Sequence, residues 1–85
     1  MADINEAIAL YNNKEFEKAY KIFAELSYKR DAEAFFYLGL MYFFGEGVEK
    51  DEAKSMDYWK RAMREGHQEA AYRLSEMKTS TKTTF

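Results

Sequence analysis

Lys18, Ala19, Tyr20 and Phe23 recur 36 residues later as Lys54, Ser55, Met56 and Trp59, and Glu33, Ala34 and Leu38 recur at the same offset as Glu69, Ala70 and Leu74. Small, aromatic and aliphatic positions repeat in kind at spacings of three and four residues, so the repeated object is a helical packing face. A unit of this length holds two helices. One such hairpin cannot bury its apolar face alone, so units stack. The repeat predicts an all-α chain made of helix pairs.

The local pattern places the helices. Apolar residues at Ile4, Ala7, Ile8 and Tyr11 mark one face of a first helix, with Asp3 as its cap and Glu6 as the reciprocal partner. Asn12 and Asn13 break it. Phe16, Ala19, Tyr20, Phe23 and Leu26 mark a second helix, with Glu17–Lys21 and Glu25–Lys29 as ion pairs on its wet side. Asp31 caps a third, Ala32 to Phe44, whose core AFFYLGLMYFF is apolar almost all round and so needs cover on every side. Asp51 caps a fourth, Glu52 to Glu65, which Gly66 ends. A short fifth covers 68–77, and the polar KTSTKTTF that follows reads as a loose tail.

Composition removes several function classes. With 85 residues the chain is one small domain. It has no cysteine and one histidine, His67, which excludes disulfides and argues against a protein-only metal site. Its net charge of −2, with both signs mixed, argues against general nucleic-acid binding. Neither a signal peptide nor a membrane-spanning run is recognisable, so a cytoplasmic location is expected, with no membrane partner.

The stretch FFGEGVEKD, Phe43 to Asp51, carries a Gly-x-Gly that could cradle a phosphate or make a turn. The phosphate reading needs a preceding strand and a following lysine in P-loop spacing, and neither is present. Glu46 and Glu49 to Glu52 lack the alternation of a calcium loop. No Ser/His/Asp or Cys/His set stands out, so an enzyme is not expected and no cofactor is implied. Lys60, Arg61 and Arg64 read as surface charge, and His67 as a turn residue.

One series resembles a known family. Ala34, Leu38, Gly39, Tyr42, Gly45, Gly47, Val48, Asp51, Lys54, Tyr58 or Trp59, Ala62, Gly66 and Ala70 are similar to the Sel-one-like repeat, a longer-looped subclass of the tetratricopeptide superfamily. The match spans about one repeat. Residues 3–28 resemble a tetratricopeptide pair with the shorter loop. The departures are Ser55 and Met63, where the family prefers alanine, and Ser75, which stands where the complete repeat has Gly39. The resemblance implies a right-handed solenoid of helical hairpins with about two and a half repeats: residues 1–30, 31–66 and a capping helix 67–78, then a flexible tail 79–85. It makes Gly45 a left-handed helix stop, Gly47 a loop turn, Val48 a plug between two helices and Asp51 a cap.

The resemblance also implies a concave face lined by first helices. On the third helix that side is Phe36, Leu40, Phe43 and Phe44; on its neighbours it is Asn5, Ala9 and Asn12, and Tyr72 and Glu76. Aromatics facing water there would form a large apolar patch of the kind that marks an interaction surface. The other reading makes them core. The expected function is recognition of a partner peptide or helix, in an adaptor or scaffold role. The alternatives are an obligate homodimer through the aromatic helix, or a small inhibitory protein of the immunity type. The end, Thr83-Thr84-Phe85, weakly resembles a PDZ ligand.

Overall fold

The computed structural model describes residues 2–82, with side chains through Met77. Five helices follow one another: α1 (Ile4–Asn12), α2 (Phe16–Ser27), α3 (Ala32–Phe44), α4 (Glu52–Arg64) and α5 (Gln68–Lys82). No strand occurs among the described residues. Each helix packs on the next, and the body measures 48 × 25 × 17 Å.

The starts of α1, α3 and α4 follow from three aspartates. The carboxylates of Asp3, Asp31 and Asp51 accept from the amides of Glu6, Ala34 and Lys54, at 2.9, 3.0 and 3.1 Å. Each satisfies an amide that has no partner within its helix. The ends share one device. Past the ends of α1 to α4 an amide bonds back five residues: Glu15 to Leu10, Asp31 to Leu26, Glu46 to Met41 and His67 to Ala62. This closure requires a left-handed residue just before it. Gly45 (φ 70°) and Gly66 (φ 91°) supply it without strain, whereas Lys14 (φ 63°) and Arg30 (φ 60°) adopt it as L-residues.

The turn between α2 and α3 is repeated bond for bond between α4 and α5. Arg30 N–H donates to Ser27 O and Asp31 N–H to Leu26 O, while 36 residues later Gly66 N–H donates to Met63 O and His67 N–H to Ala62 O. The caps match as well: Asp31 accepts from Ala34 N–H, and His67 Nδ1 from Ala70 N–H at 3.2 Å. Burial follows the same offset, because Ala19 and Ser55, Phe23 and Trp59, Ala34 and Ala70, and Leu38 and Leu74 are all core residues.

The core has two halves. Ala7, Ala19, Phe23, Ala34, Leu38 and Met41 fill the space among α1, α2 and α3. Phe35, Phe36, Leu40, Trp59, Ala62, Ala70 and Leu74 fill that among α3, α4 and α5. Helix α3 serves both, which explains why it is apolar all round. Gly39 lets α4 close on α3: a Cβ there would lie 2.2 Å from Trp59 Nε1. Trp59 Nε1 donates to Phe36 O at 3.1 Å, so the indole is buried with its polar atom satisfied.

Several expectations need correction. Glu17–Lys21 and Glu25–Lys29 do not pair among the described residues; Lys18 meets Glu15 instead, at 3.3 Å. Exposed pairs gain too little to hold two long side chains in one geometry. Val48 packs against the cluster formed by α1, α2 and α3. Gly47 (φ 76°) lies against the start of α2, where a Cβ would come 2.9 Å from Phe16 Cβ. Helix α5 continues to Lys82, past the expected end at 77 and into the segment expected to be loose. Thr83-Thr84-Phe85 lies outside the described residues.

Candidate functional site

The sequence singled out nine side chains on α1, α3 and α5. Phe36 and Leu40 are core, at 6% and 8% exposed, and so do not form an open groove. The reason is α5. Its N-cap, His67, lays its ring on Phe36 with centroids 4.4 Å apart, and Arg73 sets its guanidinium over Phe36 at 5.7 Å and over Trp59 at 5.9 Å. Phe43 is half-buried against Trp59, with centroids 5.5 Å apart. Phe44 meets Phe43 edge-on at 5.0 Å and stays 56% exposed. Tyr72 is 62% exposed, its hydroxyl donating to Glu76 Oε2 at 3.0 Å. Asn5, Ala9 and Asn12 are exposed on α1, and no hydrogen bond links them to the α3 aromatics. The predicted set is therefore split. Phe43 and Phe44 come together, Phe36 and Leu40 lie beneath the surface, Tyr72 pairs with Glu76 on α5, and Asn5, Ala9 and Asn12 stand exposed on α1.

Two tyrosines missed by the sequence reading join α1 to α3. The ring of Tyr11 meets Tyr37 edge-on at 5.1 Å and Phe16 at 5.4 Å, and its hydroxyl donates to Glu46 Oε1 at 2.6 Å. Burial, and then the bond to Glu46, push that hydroxyl well above the ordinary tyrosine range. Burial, followed by the charges of Glu33 and Glu69, also raises Tyr37. Tyr37 in turn stacks on Phe23 at 5.0 Å and meets Phe36 at 5.5 Å. Ring contacts thus lead from Tyr11 through Tyr37 to Phe36, whose carbonyl accepts from Trp59 Nε1, and from Trp59 through Phe43 to Phe44. Tyr11 was legible only as one more apolar position, since its partner Glu46 is 35 residues away.

His67 is also more than a turn residue. Its Nδ1 accepts from Ala70 N–H, which leaves Nε2 to donate to Glu33 Oε1 at 2.6 Å. One imidazole thereby caps α5, ties it to α3 and covers Phe36. The signal that could have found it was its offset of 36 from the cap Asp31.

Chemically, this face offers aromatic edges, one guanidinium and the carboxylates of Glu33, Glu46, Glu69 and Glu76. Among the described residues no group of three His, Cys, Asp or Glu side chains could hold a metal ion, and no helix is long and apolar enough to cross a membrane. Comparison with protein-family models finds no match, and comparison with the curated proteins finds none either.

Proposed function

We propose that this chain is a protein-recognition module built as a tetratricopeptide-like stack of the Sel-one-like type, with a partner segment bound along the side formed by α1, α3 and α5. The duplicated turn and the matched burial at an offset of 36 support the stack. The observation that carries the recognition role is the exposure of Phe44 and Tyr72, large aromatics on α3 and α5. Phe44 continues outward from the packed pair Phe43–Trp59, so an apolar partner side chain would meet a rigid aromatic edge. Asn5, Asn12 and Glu76 would supply polar contacts to the partner's backbone. The recognition needs no catalytic group or cofactor.

The test places a photo-crosslinking residue at position 44 or 72 in cells of the source organism. The companion is a Phe44→Glu/Tyr72→Glu variant, which alters only exposed positions and keeps a helical spectrum. A partner crosslinked at these positions and lost with the double variant supports the reading. The same proteins captured equally by both would refute it. A crosslink between two copies, with a dimer mass in light scattering, would assign the face to self-association instead.

A further inference from the structure

A cavity of about 750 Å³ lies on another face, between α2 and α4, where the turn into α3 closes one end. Its floor is aromatic and fixed. Phe35 is core, the Tyr58 ring lies 6.3 Å from it, and Tyr42 stacks on Tyr58 at 5.8 Å. Tyr20 shares a hydrogen bond with Tyr42, at 3.0 Å between hydroxyls. At the rim stands Tyr28, 90% exposed. Around this aromatic cleft are Arg30, Arg61 and Arg64, with Glu65 as the one lining carboxylate.

We propose that this groove is a second recognition surface, which takes an acidic extended segment of a partner protein through Arg30, Arg61 and Arg64. The chain as a whole carries a net charge of −2, whereas here three guanidiniums outnumber Glu65, the one lining carboxylate, and Asp57, which pairs with Arg61. Arg61 lies over the Tyr58 ring at 5.3 Å and meets Asp57 at 2.9 Å. Arg30 and Arg64 make no ion pair among the described residues. Their forked donors match carboxylate geometry.

Arg30 is the informative member. It occupies a left-handed position, φ 60°, whose equivalent in the duplicated turn is Gly66. Glycine adopts that backbone freely and an L-residue does so under strain. The helix dipole favours a cation at each of these helix ends, but it does not require two ends to send arginines into one aromatic-floored groove. A peptide fits better than a nucleic-acid strand. Tyrosine hydroxyls in the groove can serve the amides and carbonyls of a peptide, which a sugar-phosphate backbone lacks.

The experiment pans a random-peptide display library on the full chain. The strongest binder is then synthesised with a fluorescent label, alongside its Glu→Gln and Asp→Asn counterpart, and read by anisotropy. The expected selection is rich in Asp and Glu, and binding weakens as salt is raised. Arg30→Gly and Arg64→Gln should each weaken it about fivefold or more. Arg30→Gly removes backbone strain, so it should melt no lower than wild type, which separates lost binding from lost folding. Phe44→Glu should bind this peptide as wild type does, since it lies on the other face. The proposal is overturned by a selection without acidic enrichment, by acidic peptides that bind both arginine variants unchanged, by binding that Phe44→Glu abolishes, or by an oligothymidylate that displaces the peptide at lower concentration.

Discussion

Gly39→Ala is the sharpest test of how the two halves of the core are joined. A Cβ at this position would sit 2.2 Å from Trp59 Nε1, 2.3 Å from Cδ1 and 3.0 Å from Cε2. All three belong to a rigid ring that is almost fully buried. The indole must therefore shift, and α4 with it. Overpacking of this kind costs about 1–3 kcal/mol. A shift that stretches the 3.1 Å bond from Nε1 to Phe36 O leaves a buried donor unsatisfied, for about 1–3 kcal/mol more. Alanine recovers about 1 kcal/mol of helix propensity. The net loss is about 3 kcal/mol, a large part of the stability of so small a domain. At about 4–8 °C per kcal/mol, the thermal midpoint should fall by at least about 10 °C. Circular dichroism would record the melt. The emission of Trp59, the only tryptophan, would shift to longer wavelength in the native state. Trp59→Phe removes the colliding Nε1, so the double variant should lose less than the two single losses combined. A Gly39→Ala protein as stable as wild type, with unchanged emission, would refute the account of the α3–α4 contact.

Ser55 is fully buried with its hydroxyl unpartnered, and its repeat equivalent is Ala19; Ser55→Ala should raise stability by about 1 kcal/mol in urea unfolding. Lys14 holds φ 63° at the end of α1, so Lys14→Gly should stabilise by about 0.5–1 kcal/mol, whereas Gly45→Ala should destabilise by a similar amount. His67→Asn should keep the α5 cap and His67→Ala should lose it, so the alanine variant should be the less stable by about 1 kcal/mol. Burial is the first cause that raises Tyr11, Tyr37, Tyr42 and Tyr58 above the ordinary tyrosine value. The folded chain therefore keeps phenolic protons that the unfolded chain releases above about pH 10, so stability is level below that pH and falls above it. The tyrosinate absorbance of these four should rise together with loss of helix; their titration near pH 10 with the helix intact would contradict it.

Helix existence and limits were legible because their causes are local. Asp3, Asp31 and Asp51 announce three starts, and Gly45 and Gly66 two stops, within a few residues of the groups they bond. Lys14 and Arg30 were not legible as left-handed residues, because nothing in a lysine or arginine signals that backbone; only Arg30's alignment with Gly66 hints at it. The candidate site was legible in part. Phe43 and Phe44 lie together, but Phe36 and Leu40 were assigned to an open face because a helical wheel cannot show that His67 and Arg73 lay their side chains over Phe36.

The sequence by itself determined the all-helical architecture, the offset of 36 and the turn chemistry between units, since period, caps and glycines act over one or two turns of chain. The tertiary structure alone decided which aromatics face water. It drew Phe36 under His67 and Arg73, left Phe44 and Tyr72 outside, and gathered Arg30, Arg61 and Arg64 around one groove. Those outcomes depend on contacts between residues more than 30 positions apart, where distance and burial, rather than residue type, set the energy.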